Sequence, residues 1–290
     1  MDGVRPEQEL CLRSARLIIA TGSDARVPEI EGLAEVGYWT NREATTLSEI
    51  PDSIVILGGG PVGVELGQFL ARFGTQVTIV QGADRLLPRE DPAVGALVLD
   101  VLRENGIDVR LGAHAVRVTR DGPERVVHLE GGETVSGCEL LVATGRAPRV
   151  ADLGLETLGV EVDPAGLVVD ERCRVTDGVW AVGDVTGVAV GLTELQAREQ
   201  GLDVSTAHVK LAEAIARPWT YQEDPGELGL IADRARGVLV GAWAVAPLAG
   251  EWIHYAALAV KTETPLAVLR DTVAQFPTFT EAYLKGFEQL

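Results

Sequence analysis

A glycine-rich loop between an apolar strand and a helix constrains this chain more than any other feature of the sequence. The strand is predicted at Ser53–Leu57 and the helix at Val62–Phe73. Gly58 permits a tight turn, Gly60 lets a pyrophosphate approach the backbone, and Gly63 lets the helix pack on the strand. The helix N-terminus then offers N–H groups and a positive dipole to phosphate. The residues predicted to bind a dinucleotide here are Gly58, Gly60, Pro61, Val62 and Gly63.

The end of the next strand, Gln76–Val80, bears on the choice between the two nicotinamide cofactors. An acidic residue at this position bonds the ribose 2′-hydroxyl of NAD, whereas the 2′-phosphate of NADP favours arginine. This chain has Gln81 there, which removes the negative charge without adding a positive one. Arg85 follows, either as a ligand of the 2′-phosphate or as a solvated loop cation. The choice stays open, with a lean to NADP if Arg85 reaches the ribose.

The surrounding pattern predicts an α/β protein with a parallel sheet. Apolar strands alternate with helices, the second of them at Pro92–Asn105, and a strand at Leu140–Ala143 returns to the same sheet. The stretch Val109–Val135 has short alternating segments and predicts an inserted antiparallel meander. After Gly187 a mixture of short strand and helix patterns indicates a separate α+β domain.

The charge balance limits the partners of the chain. It has 25 Lys and Arg against 43 Asp and Glu, a formal net charge of -18. Nucleic acid and anionic lipid require clustered cations, so we expect neither as a partner. No apolar run approaches the roughly 20 residues of a membrane span, and no signal-peptide pattern is present, so we expect a cytoplasmic protein. Cys11, Cys138 and Cys173 have no redox or metal-ligand spacing, and no metal site is predicted.

Seven motifs in chain order give the sequence a resemblance to the FAD-dependent pyridine nucleotide-disulphide oxidoreductases, which include dihydrolipoamide dehydrogenase, glutathione reductase and mercuric reductase. The matching stretches extend over nearly the whole chain. They are "ATGSDARVPEIEGL" from Ala20, "ILGGGPVGVELG" from Ile56, "DRLLPREDP" from Asp84, "LLVATGRAPRV" from Leu140, "VWAVGDVTG" from Val179, "VGLTELQA" from Val190 and "FPTFTEAY" from Phe276.

The resemblance implies a Rossmann-like NAD(P)-binding domain at 47–157, remnants of an FAD-binding domain at 1–46 and 158–188, and a C-terminal α+β dimerisation domain at 189–290. It implies NAD(P)H and FAD as cofactors and a homodimer. Asp184 corresponds to the family residue that bonds the FAD ribitol, and Glu65 to the glutamate that reaches toward the nicotinamide and flavin. The alternative for Glu65 is an ordinary acid in the first turn of its helix. Further residues assigned to the cofactor sites are Thr21, Gly22, Gly145, Arg146 and Gly183. The alternative for Arg146 is an ordinary surface arginine.

Three departures from the family pattern bear on mechanism. We expect the chain to lack the first FAD-binding glycine motif and the Cys-x-x-x-x-Cys redox pair, and thiol exchange needs two such sulphurs. Phe276 replaces the histidine that serves the thiols as acid and base, and phenylalanine carries no proton. Only Val185–Val190 separate Asp184 from Gly191, where the family has a helix and further strands. The chain is therefore expected to be truncated and internally shortened.

Three functions are consistent with these features. The first is an NAD(P)H-dependent flavin oxidoreductase that passes hydride from nicotinamide to flavin and then to an acceptor that the sequence does not identify. It would act without the redox disulphide and the catalytic histidine. The second is a non-catalytic, dimeric NAD(P)-binding protein. The third is an inactive fragment of a longer flavoprotein.

Overall fold

The computed structural model describes residues 14–163, 166–170, 172–182, 185, 191–214, 226–274 and 277–290. The chain divides into two compact units. The first unit takes the described residues of Met1–Asp24 and Arg146–Val188, and the second takes those of Ala25–Gly145 and Ala189–Leu290. The four domain ranges expected from the sequence stay predictions.

Short strands and helices alternate along the described chain. The strands are β1 (Leu17–Ile19), β2 (Ser23–Ala25), β3 (Ser53–Leu57), β4 (Gln76–Gln81), β5 (Asp108–Leu111), β6 (Ala115–Asp121), β7 (Glu124–Leu129), β8 (Thr134–Gly137), β9 (Glu139–Val142), β10 (Arg146–Pro148), β11 (Arg174–Thr176), β12 (Val179–Ala181), β13 (Val204–Lys210), β14 (Glu227–Asp233) and β15 (Val238–Val245). The helices are α1 (Leu33–Val36), α2 (Asn41–Thr45), α3 (Pro61–Arg72), α4 (Pro92–Glu104), α5 (Glu194–Glu199), α6 (Leu211–Ala214), α7 (Ala249–Trp252), α8 (His254–Lys261), α9 (Leu266–Arg270) and α10 (Glu281–Gln289), with a 3-10 turn at Leu155–Leu158.

A parallel sheet in the order β5-β4-β3-β9 carries the glycine-rich loop in the second unit. Its central strand β3 pairs with β4 through Ile56 and Ile79, and with β9 through Ile56 and Leu141. The apolar side chains of β3 are at most 2% exposed, as expected for a strand covered on both faces. The predicted α/β fold and the boundaries of α3 and α4, to within one residue, are confirmed.

The inserted meander is smaller than the sequence predicted. β6, β7 and β8 form an antiparallel sheet, so the meander itself is confirmed. Its expected start at Val109 is wrong, because Val109 lies in β5 and pairs in parallel with Ile79 of β4. The side chain of Val109 is 7% exposed, so burial beside β4 outweighs the alternating pattern that the sequence showed.

The C-terminal part of the second unit is an α+β arrangement. An antiparallel sheet, β13-β14-β15, is covered by α8 and α10, α9 packs against α10, and an aromatic cluster lies in the core of this domain. Tyr283 and Phe287 are almost completely buried there, and Tyr283 donates its hydroxyl proton to the carbonyl of Trp252 at 3.3 Å. Burial raises the pKa of the Tyr283 phenol well above its usual value. The predicted helix at Glu251–Thr262 is interrupted, with α7 ending at Trp252 and α8 beginning at His254.

The first unit holds a small sheet and a two-stranded ribbon. β1 pairs in parallel with β12, with Leu17 opposite Val179, and β11 pairs with β12 in the antiparallel sense. The ribbon is formed by β2 and β10. Ile19 and Ala181 point into the core of this unit and are at most 4% exposed.

Candidate dinucleotide-binding site

The glycine-rich loop is shaped by close approaches that only glycine permits. Gly58 follows β3 with φ 111°, and a Cβ there would lie 2.3 Å from the carbonyl oxygen of Ala143. Gly63 lies in the first turn of α3, and a Cβ there would lie 2.0 Å from the carbonyl oxygen of Gly58. Both distances fall far inside van der Waals contact. The loop therefore turns sharply out of the sheet, and α3 begins directly against the end of β3.

Gly60 differs from its two neighbours because it faces open space. A Cβ on Gly60 would meet no heavy atom within 4 Å, and its φ of -78° is open to any residue. Gly60 is the N-cap of α3, Pro61 is the exposed first residue, and no side chain caps this end. The first-turn N–H groups of Val62 and Gly63 have no acceptor within the helix. The space in front of Gly60 is thus bordered by these donors and the positive end of a 12-residue helix.

The carboxamide of Gln81 braces the loop from the neighbouring strand. Its Oε1 atom accepts a hydrogen bond from the N–H of Gly59 at 2.8 Å, and its Nε2 atom donates to the carbonyl of Arg85 at 3.2 Å. Gln81 is 8% exposed, so both polar ends are held in the interior. Arg85 donates from one terminal nitrogen to the carbonyl of Pro88 at 2.7 Å, while its other terminal nitrogen is buried without a protein partner. Both side chains are folded onto the loop itself.

Glu65 lies on the exposed surface of α3, one turn beyond Pro61. The alternative that Glu65 is a first-turn acid is wrong, because the helix begins at Pro61 and has no acidic residue in its first turn. Gly145 follows β9 in the same unit, with φ 145°, and its carbonyl accepts the N–H of Arg26 at 2.9 Å.

The candidate flavin residues that the structure describes in the first unit hold a ribbon together. Thr21 donates its hydroxyl proton to the carbonyl of Arg149 at 2.6 Å, and the carbonyl of Gly22 accepts the N–H of Arg149 at 2.9 Å. Arg146 donates from Nε to the hydroxyl of Ser23 at 2.6 Å and from a terminal nitrogen to the Ser23 carbonyl at 2.9 Å. These contacts place Thr21, Gly22 and Arg146 on β2, β10 and the segments beside them.

An ion pair in this ribbon was missed at the sequence level. Arg149 binds the carboxylate of Asp24 with two nitrogens, one of them Nε at 2.6 Å from Oδ2. The Arg149 guanidinium holds the pKa of the Asp24 carboxyl below its usual value. The pair joins β2 to the residue after β10, which no local spacing in the sequence shows. Three predicted positions, Gly183, Asp184 and Phe276, lie outside the described residues.

The fold is that of a Rossmann-type α/β protein with a C-terminal α+β domain, and the comparisons give its family. Residues 5–213 match the family model "Pyridine nucleotide-disulphide oxidoreductase", and residues 181–286 match the dimerisation domain of that family. The first match alone covers more than half of the chain. This chain therefore belongs to the pyridine nucleotide-disulphide oxidoreductases, whose members use FAD and NAD(P)H.

Individual relatives support the same family. A mercuric reductase of Bacillus cereus is 33% identical over an alignment that covers 93% of this chain and 50% of the relative. The probable pyridine nucleotide-disulfide oxidoreductase RclA of Escherichia coli is 31% identical, with 96% of this chain and 73% of RclA covered. A solved Cu(II) complex of RclA superposes with a TM-score of 0.79 at 30% identity, and covers 94% of this chain and 73% of the RclA chain. LpdA of Mycobacterium tuberculosis has the same TM-score at 24% identity, which shows the fold alone.

The chain is shorter than these relatives. It spans half the length of the Bacillus cereus mercuric reductase, and the alignment of 317 positions is longer than the 290 residues of this chain. The relative therefore has residues inside the matched region that have no counterpart here. Separately, no helix among the described residues has the length and apolar character needed to cross a membrane.

The bracing contact of Gln81 generates a testable prediction. We expect Gln81→Leu to lower the free energy of unfolding by about 1–3 kcal/mol, because the buried N–H of Gly59 loses its acceptor. The measurement is urea unfolding of the purified chain. Gln200→Leu, at the exposed end of α5, is the matched control and should change stability by less than about 0.5 kcal/mol. Equal stability of the two variants would show that Gln81 does not brace the loop.

Proposed function

We propose that this chain is an NAD(P)H-dependent flavin oxidoreductase that passes hydride from nicotinamide to FAD and on to an acceptor, without a redox disulphide or a catalytic histidine. The observation that carries the nucleotide part is the open space in front of Gly60 at the uncapped start of α3. Family membership supports the flavin part. The proposed nucleotide domain is 47–157, the proposed remnants of the FAD domain are 1–46 and 158–188, and the proposed interface domain is 189–290.

The proposed role of the glycine-rich loop is to bind and orient the dinucleotide. The N–H groups of Val62 and Gly63 would donate to the pyrophosphate, and the dipole of α3 would stabilise its negative charge. Gly60 would leave room for the phosphate oxygens beside the backbone. When bound, NAD(P)H supplies the hydride and FAD accepts it. Glu65, exposed on the second turn of α3, is proposed to lie toward the nicotinamide side of the cofactor.

The proposed chemistry proceeds without dithiol exchange. Phe276 stands where the family pattern has a proton-carrying histidine, and its ring can neither donate nor accept a proton. The sequence has three cysteines, and among the described residues Cys138 and Cys173 are free thiols. Their spacing in the sequence is unlike that of a redox pair, so we propose that the acceptor is reduced by another route.

The FAD site is the less complete part of the proposal. Thr21, Gly22 and Arg146 have their polar atoms engaged in the β2–β10 ribbon, and Gly183 and Asp184 lie outside the described residues. The described part of the chain therefore defines no complete flavin site. The complete parallel unit of β3, α3 and β4, which carries the glycine-rich loop, favours the second candidate function, a non-catalytic protein that binds NAD(P) and dimerises. In both cases we propose a cytoplasmic homodimer formed through 189–290, since the family's dimerisation domain matches there.

A charge substitution in the loop tests nucleotide binding. We expect Gly60→Glu to raise the Kd for NADPH by about a hundredfold or more, because its carboxylate would occupy the position of the pyrophosphate and repel the phosphate charges. Each tenfold change in Kd corresponds to ~1.4 kcal/mol of binding free energy. The measurement is isothermal titration calorimetry on the purified chain. Gly60 has space for a side chain and an unstrained backbone, so the variant should fold.

The matched control is Gly250→Glu. Gly250 likewise has no heavy atom within 4 Å of a built Cβ and no positive φ, but it lies in α7. We expect it to bind NADPH with the affinity of the unmodified chain. Unchanged affinity in Gly60→Glu would remove Gly58–Gly63 from the proposed site.

The visible absorption spectrum of the purified chain separates the two candidate functions. The oxidoreductase predicts a stoichiometric flavin band in the blue region, because a bound, oxidised flavin absorbs there. A colourless protein that still binds NADPH would contradict flavin binding and support the non-catalytic alternative. A chain that binds no nucleotide and shows no cooperative unfolding would contradict both and support the inactive fragment.

A further inference from the structure

A pocket of about 420 Å³ opens in the C-terminal α+β domain, away from the glycine-rich loop. Ser205 at the start of β13 lines it, together with Arg234 and Arg236 from the turn that joins β14 to β15 and Arg270 at the end of α9. None of these residues has a place in the proposed dinucleotide site. The pocket is therefore a candidate for a separate ligand site, lined by three guanidinium groups and a serine hydroxyl.

Ser205 is the most informative residue in the pocket. It is 5% exposed, and its hydroxyl oxygen is buried without a hydrogen-bond partner in the protein. A buried hydroxyl that lacks a partner is costly, and such groups are rare in native proteins. A ligand that offers an acceptor or donor inside the pocket would satisfy this hydroxyl.

Arg270 is held in place at one side of its guanidinium. Its Nε atom donates to the carbonyl of Phe287 near the end of α10 at 3.0 Å. No carboxylate in the described part of the chain pairs with Arg270. The contact at Nε orients the guanidinium and leaves its terminal N–H groups available to a ligand.

The other two arginines form ion pairs with exposed carboxylates, and the buried Asp233 also attracts Arg236. Arg234 pairs with Asp203 at 3.4 Å, and Arg236 pairs with Glu263; the two carboxylate side chains are 61% and 63% exposed. Neither acid lines the pocket. Exposed ion pairs contribute little to stability, so an anion of higher charge can compete with these acids for the guanidinium groups.

The charge of the pocket contrasts with the rest of the protein. The chain has a net charge of -18, yet the described residues that line the pocket include three arginines and no acidic side chain, with the main-chain carboxylate of Leu290 as an anionic group among them. Guanidinium groups bind phosphate through paired, charge-assisted hydrogen bonds. Leu266 and Ala267 add an apolar wall beside them, which leaves room for a small organic group.

We propose that this pocket binds a phosphate group, with the buried hydroxyl of Ser205 and the exposed guanidinium groups of Arg234, Arg236 and Arg270 as its donors. The ligand class is a small phosphate-bearing anion. Free inorganic phosphate and the phosphate of a small monoester share this chemistry. The proposal stands apart from the proposed oxidoreductase function and does not depend on it.

Calorimetric titration of the whole chain with inorganic phosphate, at constant ionic strength, tests this proposal. We expect Arg270→Gln to weaken phosphate binding at this site by about tenfold or more, because a charge-assisted donor pair is lost. Arg198→Gln is the matched control, since Arg198 lies on α5, pairs with Glu194 and does not line the pocket. A parallel titration with glycerol phosphate shows whether the apolar wall favours a monoester over free phosphate.

Ser205→Ala is a second variant that distinguishes a loss of phosphate binding from a folding defect in Arg270→Gln. Removal of an unpartnered buried hydroxyl should leave the phosphate-free stability equal or higher, while phosphate binding weakens severalfold. Any phosphate bound at the glycine-rich loop contributes equally to every variant, so the differences report on the pocket. The proposal is overturned if no phosphate binds, or if Arg270→Gln and Ser205→Ala bind phosphate as tightly as Arg198→Gln does.

Discussion

The close approach of α3 to the end of β3 is the constraint on which the candidate site depends. The helix can begin there only because Gly63 has no side chain, since a Cβ would stand 2.0 Å from the carbonyl oxygen of Gly58. Gly58 itself is pressed against Ala143 at the end of β9. The two contacts fix the direction of the helix relative to the parallel sheet. As a result the N–H groups of its first turn point into the space that Gly60 leaves open.

The loop is also held from the side, and this support extends into the rest of the second unit. Gln81 bonds Gly59 across 22 residues of sequence, and Leu86 lies against the same glycine. Leu86 belongs to a hydrophobic cluster that includes α4 and also Trp243 of β15. One continuous core thus joins the parallel sheet to the C-terminal sheet. The geometry of the loop is therefore supported by residues far from it in sequence.

The parts of the fold that could be predicted from the sequence are those in which a local pattern is sterically compatible with only one backbone arrangement. The glycine spacing predicted the turn and, to within one residue, the start of α3, because a side chain at Gly58 or Gly63 would clash with the backbone. The order of strand, helix and strand predicted the parallel pairing of β3 with β4. The role of Gln81 could not be predicted, because a carboxamide at this position can bond either a ribose or the protein. In the structure it accepts the N–H of Gly59. Val109 was assigned to the meander because alternation along a strand does not tell which neighbour the strand pairs with.

Long-range arrangements remained beyond sequence reasoning for a similar reason. The Asp24–Arg149 pair and the pocket around Ser205 each join residues that only the folded chain brings together. Family membership, by contrast, was readable from the order of seven motifs and is confirmed by the family match. The same motifs imply a flavin site, but its residues either serve the β2–β10 ribbon or lie outside the described chain. Nucleotide binding at α3 is for this reason the central claim.

The most direct test of that claim is hydrogen–deuterium exchange of the loop amides with and without saturating NADPH. Exchange is read at Val62 and Gly63, whose N–H groups have no acceptor in the helix. We expect NADPH to slow exchange at these two amides, because the pyrophosphate becomes their acceptor, while the amides of α10 are unchanged. Exchange at Val62 and Gly63 that stays fast in the NADPH-saturated protein would contradict nucleotide binding at this helix.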